Sequence, residues 1–156
     1  MRLLLAVLLF ATALAPARAA GVEFVRVWPA WRDTDSFRRI SEYFTGKENT
    51  GGEIVLRTHP DSRDGFYFLA RLKNPDAALA GAKFVLHLIT PEKPETKLFT
   101  FPVTVPAGQT VFQLGLTGAD WAGPKVHPVA WQLELQSADG KVLASHHSFL
   151  WEKPAK

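Results

Sequence analysis

His59, His87, His127, His146 and His147 are the only imidazoles in this 156-residue chain. With its carboxylates they are the first groups to weigh for acid–base or metal chemistry. His146 and His147 are adjacent in a segment with strand character, where successive side chains point to opposite faces, so the two do not chelate one ion together. His59 and His127 each precede a proline, which pushes them toward extended strand-edge or turn geometry. A site assembled from His87, His147 and a distant carboxylate is the one histidine-based metal arrangement that the order of residues leaves open. The pairs Asp33/Asp35 and Asp61/Asp64 carry the oxygen ligands a calcium ion takes. Helix capping accounts for the first pair and an Asp64-Gly65 turn for the second. The chain has no Gly-x-Ser-x-Gly elbow, no His-Glu-x-x-His, no phosphate-cradling glycine loop and no EF-hand loop. Nor does it single out two carboxylates for glycoside hydrolysis. The expectation is a protein that is not an enzyme, with no catalytic residues, metal or cofactor.

What stands out instead is arginine among aromatic residues. Trp28-Pro29-Ala30-Trp31-Arg32 is followed by Phe37-Arg38-Arg39, Tyr43-Phe44, Arg57, Arg63, Phe66-Tyr67-Phe68 and Arg71, while Lys47 is the only lysine before Lys73. A planar guanidinium grips carboxylates in a fork and stacks on rings, so the imbalance points to fixed geometry. Two uses of these residues compete. In one, the arginines pair with Asp33, Asp35, Glu42, Asp61 and Asp64, and the aromatics form a seam between a helix and a sheet. In the other, Trp28, Trp31, Arg32, Arg38, Tyr67 and Arg71 form an exposed face for a partner. Trp121, bracketed by Gly115, Gly118 and Gly123 in LGLTGADWAGP, is a further candidate. It serves either as a binding anchor in a surface loop or as a lid on one end of the core.

The elements that must position these residues are mostly strands. Gly65 to Leu72 places Phe66, Phe68, Ala70 and Leu72 on one parity. Lys83 to Thr90 is apolar on both parities and reads as a central strand. Thr96 to Val105 turns Phe99, Phe101, Val103 and Val105 inward, and Pro102 marks an edge or bulge. Thr110 to Leu116 and Val129 to Leu135 alternate in the same way, and Ala138-Asp139-Gly140 closes a hairpin into Lys141 to Trp151, whose buried face stays unassigned. Val22 to Trp28 and Glu53 to Thr58 are shorter strand candidates. One segment has helical spacing instead. In Asp35 to Phe44 the residues Phe37, Ile40 and Tyr43/Phe44 recur every three to four positions, with Asp33 or Asp35 as N-cap and Gly46 as the stop. The expected fold is therefore all-β: an antiparallel sandwich of about seven to eight strands with one short N-terminal helix.

Residues 1–19 read as a cleavable export signal. Arg2 is the positive end, Leu3 to Leu14 the apolar run and Ala17-Arg18-Ala19 the cleavage pattern. The apolar run is too short for a permanent membrane anchor. Residues 20–156 are expected to form one domain, with a helix-bearing segment at 28–52. The whole chain has 18 Lys plus Arg against 15 Asp plus Glu. Losing Arg2 and Arg18 with the signal leaves a mature net charge of about +1, so nucleic acid is not an expected partner. The chain has no cysteine, hence no disulfide and no lipid-modified cysteine. This combination suits a bacterial periplasmic or secreted protein.

The loop NPDAALAG at 74–81, the turn VPAG at 105–108 and ADGKVL at 138–143 resemble those of bacterial immunoglobulin-like and fibronectin-III-like modules over residues 65–151. The resemblance implies a binding, spacer or docking role. The function expected is an exported, non-enzymatic module that binds an envelope or extracellular protein or glycan through its Arg/aromatic face. The alternatives are a carbohydrate-binding module using Trp28, Trp31 and Trp121 and a small hydrolase with an unrecognised site.

Overall fold

The computed structural model describes residues 21–152, and the export signal expected over 1–19 lies outside them. Eight strands form two four-stranded sheets. They are β1 (Glu23–Arg32), β2 (Ile54–Arg57), β3 (Gly65–Asn74), β4 (Leu79–Thr90), β5 (Lys93–Val105), β6 (Gly108–Thr117), β7 (Ala130–Gln136) and β8 (Val142–His147). One sheet has the order β1-β3-β6-β2 and the other β5-β4-β7-β8. All pairings are antiparallel except that of β2 with β6.

Alternation decides which side chains fill the space between the sheets. Phe66, Phe68, Ala70 and Leu72 of β3 and Phe112, Leu114 and Leu116 of β6 meet Phe84, Leu86 and Leu88 of β4 and Trp131, Leu133 and Leu135 of β7 in one core. Phe84 packs edge-on to Phe112 at 5.0 Å and Phe68 to Trp131 at 5.4 Å, so rings from both sheets interlock. Each fully buried ring contributes about 1.5–3 kcal/mol. β4 lies between β5 and β7, and Pro102 sits on β5 at a sheet edge, where a missing N–H breaks no ladder. On β8 the core face is Leu143 and Ala144.

Two expectations need correction. β1 is longer than Val22 to Trp28, and its ladder with β3 slips between Phe24 and Arg26. The extra residue, Val25, is exposed. The bulge moves the inward set from Phe24 to Val27 and Trp31 and turns Arg26, Trp28 and Arg32 outward. The helix of 35–44 is not continuous. Asp33 caps a 3-10 turn at Thr34–Phe37, Arg38 and Arg39 are extended, and helix α1 covers only Ile40–Thr45 before Gly46 ends it at φ +66°. A continuous helix would keep Phe37 and Ile40 on one side. The extended pair breaks the helical repeat between them, and Phe37 goes to the sheet and Ile40 to water.

β1 and β2 occupy opposite edges of one sheet, so residues 33–53 must cross its outer face over β3 and β6, about 14 Å at ordinary strand spacing. Tyr67 of β3 points to that face and is fully buried beneath the crossing segment. Its register partner on β6 is Gly115, where a Cβ would overlap the Tyr67 ring. Gly115→Ala is therefore expected to lower stability by about 1–3 kcal/mol in urea unfolding. Gly21→Ala, in open space, leaves it unchanged. Equal stabilities of the two variants would mean that the Tyr67 ring can move aside.

Candidate functional site

The outer face of the β1-β3-β6-β2 sheet and the segment crossing it hold the arginines of residues 26–71 together with Trp28, Phe37 and Tyr67, and the crossing segment divides that face into a sealed part and an open part. In the sealed part, Phe37 lies on Tyr67 with ring centroids 4.8 Å apart, and the guanidinium groups of Arg32 and Arg57 each lie 5.0 Å from the Phe37 ring. The Tyr67 hydroxyl donates to the Arg63 carbonyl at 2.7 Å and accepts from Arg57 Nε at 2.8 Å. Arg57 then grips Glu48 with both Nη groups at 2.9 and 2.6 Å. Arg63 holds Glu42 at 2.7 Å, and the same carboxylate accepts from the Asn49 and Arg39 backbone N–H groups. Arg32 donates to Gln113, which donates to Glu53, so the two ends of the crossing segment are joined through β6.

These bonds set the charge states. The Arg63 hydrogen bond, with those of the Asn49 and Arg39 amides, holds the Glu42 pKa below the ordinary carboxylate value. Arg57 does the same for Glu48. Burial opposes the Arg57 charge, but the bonds to Glu48 and Tyr67 outweigh it and raise its pKa. Burial raises the pKa of Tyr67, so its hydroxyl keeps the proton it donates.

The six residues expected to form a partner face, and the further candidate Trp121, are thus separated. Tyr67 is not exposed but is the buried post of the crossing segment, and Arg32 braces it. For Trp121 the lid, and not the surface anchor, is the use the structure shows. The residue is only 7% exposed, stacks on Phe66 at 4.6 Å and donates from its indole to the Gly123 carbonyl, so it closes one end of the core and offers no surface platform. Trp31 faces the core edge, three residues along the strand from outward-facing Trp28. Arg38 is exposed and pairs with Asp35 at 3.2 Å.

Trp28 and Arg71 do share an open site. With Ala30, Trp31, Leu69 and Val111 they line a groove of about 450 Å³ that ends at Arg32 and Ser36. Arg26 and Arg71 lie over the Trp28 ring at 4.6 and 5.2 Å. Arg26, Leu69 and Val111 escaped sequence reasoning, because placing them beside Trp28 needs the β1/β3/β6 register.

The second feature missed is the orientation of α1. Its Glu42 side chain is only 8% exposed against Arg63, and Ser41 accepts from the Asn49 amide at 2.8 Å. Ile40, Tyr43 and Phe44 are 78, 72 and 86% exposed. The polar side faces the protein and the apolar side faces water, the reverse of an ordinary amphipathic helix.

On the other sheet, His87, Gln132 and His147 lie in one register row, and His87 Nε2 is 3.7 Å from Glu134. Trp151 lies beside His87, their ring centroids 6.0 Å apart. His146 points inward between Phe24 and Trp131, where burial and then His147 lower its pKa. Among the described residues, no three His, Asp or Glu gather as a metal-ligand set.

Because the folded pKa values of Glu42 and Glu48 are depressed, their stabilisation is full above the unfolded value of about 4.3 and is lost as pH falls through the lower folded values. Glu48→Gln is expected to cost about 1–3 kcal/mol at neutral pH, since it leaves the largely buried Arg57 without its carboxylate. The gap in melting temperature between wild type and variant should close as pH falls below about 4. A gap that persists undiminished at low pH would assign the effect to packing alone. No protein-family model, curated protein or solved structure matches this chain, so the chemistry of the site is argued from its own side chains.

Proposed function

We propose that this protein is an exported, non-enzymatic β-sandwich module that docks to an envelope or extracellular protein through the outer face of the β1-β3-β6-β2 sheet and the segment crossing it. The observation that carries this reading is α1. Leaving Ile40, Tyr43 and Phe44 in water forgoes about 1.5–3 kcal/mol for each side chain that burial could supply. A helix that turns Glu42 inward and Ile40, Phe44 and the Arg38-flanked ring of Tyr43 outward is held in water by the Arg63, Asn49 and Arg39 contacts of its polar side, and a partner surface is what its outer side fits. Trp28, Arg38 and Arg71 extend the same face. An immunoglobulin-like class for the sandwich is supported by the strand orders β1-β3-β6 and β5-β4-β7-β8, with β2 added at an edge. The glycan alternative loses support, because Trp121 is buried against Phe66 and Trp31 turns to the core edge, so the three indoles form no common exposed platform.

A photo-crosslinking side chain in place of Phe44, tested in the organism that makes the protein, is expected to yield a discrete adduct with an envelope or extracellular protein. The same group in place of exposed Thr100 on β5 should yield none. Equal labelling at both positions would count against docking by α1. The exported product should begin at Ala20 by intact mass; a chain retaining residues 1–19 in the cytosol would overturn the export reading. Turnover of an ester, phosphate or glycoside substrate that His147→Ala abolishes would overturn the non-enzymatic one.

A further inference from the structure

Arg26 and Arg71 stand directly opposite each other on β1 and β3. Like charges at opposed positions of an antiparallel pair are unfavourable. The neighbouring pair on the same ladder shows the usual solution, because Glu23 opposes Lys73 and the two form an ion pair at 3.7 Å. Among the described residues neither Arg26 nor Arg71 has a carboxylate partner, and their one shared contact is the Trp28 ring. A guanidinium stacked on a ring still has its in-plane N–H groups available for an anion. The groove beside them is lined by Trp28, Ala30, Trp31, Leu69 and Val111 and contains no acidic residue. Its volume of about 450 Å³ is in the range of clefts that hold a small ligand or a short chain segment.

We infer that this groove binds an acidic peptide segment, with one carboxylate bridging Arg26 and Arg71 and a neighbouring apolar side chain lying on Leu69, Val111 and Ala30. The carboxylate removes the repulsion between the opposed arginines, and the groove supplies the apolar contact. A sugar ring is the poorer fit, because stacking requires an uncovered indole and two guanidinium groups already lie over Trp28. A lipid surface is poorer as well, because the apolar residues here line a recess and do not project. The inference rests on the docking reading above and names the chemistry of the partner.

The test uses a dye-labelled probe, acetyl-Gly-Glu-Phe-Glu-Gly-amide, followed by fluorescence anisotropy, with a Gln-Phe-Gln version as control. Polygalacturonate and phosphatidylglycerol vesicles represent the other anionic sources. The Glu peptide should bind, the Gln peptide should bind at least tenfold more weakly, and raising the salt should weaken the Glu peptide. Arg26→Gln/Arg71→Gln should reduce binding about tenfold or more while the melting temperature stays equal to wild type or rises, as relief of repulsion requires. Val111→Asp, which places an acid in the groove, should abolish binding. Equal binding of the two peptides, or a double variant that melts lower yet binds normally, overturns the inference and makes the arginines a structural stack on Trp28. Binding of polygalacturonate or vesicles, but not peptide, lost in the double variant, overturns the peptide assignment and leaves a docking face. If no probe binds, the inference fails, while docking by α1 stands or falls on its own crosslinking result.

Discussion

Placing β1 and β2 at opposite edges of one sheet obliges the chain between them to lie across that sheet's outer face, and most of the distinctive features follow from this crossing. A sheet face under a loop must be both packed and hydrogen-bonded, because backbone and charged groups brought there lose water. Tyr67 meets both needs. Its ring packs between Phe37 and the space left by Gly115, and its hydroxyl joins Arg57 to the Arg63 carbonyl. Arg57 and Arg63 carry the connection on to Glu48 and Glu42, so four charged groups are anchored through one phenol. A network of this kind defines a single geometry when every member is satisfied.

The orientation of α1 is a consequence. Glu42 is required inside by Arg63, and at about 100° per residue Ile40, Tyr43 and Phe44 share the opposite side of the helix. Fixing the charge inside therefore fixes the apolar residues outside. The groove has the same origin. The crossing segment covers the rows of Tyr67 and Gly115 and leaves the rows of Trp28–Leu69 and Arg26–Arg71–Val111 open. The exposed helix and the open groove are thus two results of a single chain path.

Much of the fold was legible in local pattern. The core residues of β3, β5, β6 and β7 are those on one parity of each segment, because a strand with one buried face alternates by geometry. Central β4 and edge-placed Pro102 were legible for related reasons: two apolar faces need cover on both, and proline cannot donate to a second neighbour. The bulge at Val25 was not legible. One inserted residue inverts the parity of all that follow, and Val22 to Trp28 contains no glycine or proline to signal it. The break at Arg38-Arg39 was hidden as well, since the spacing of Phe37, Ile40 and Phe44 fits a helix and only the demand of Tyr67 for Phe37 splits it.

By itself the sequence determined an all-β chain whose strands, turns and absence of cysteine can be read from residues a few positions apart. It also placed an unusual supply of arginine and aromatic side chains between residues 26 and 71. Only the tertiary structure decided which of these stay in water. Trp121 and Tyr67 went to the interior, Arg57 and Arg63 to the carboxylates of Glu48 and Glu42, and Arg26, Trp28 and Arg71 to a shared open face. The reason is physical. Alternation is a property of one strand, whereas burial and charge pairing depend on which strand lies alongside and on what crosses above it.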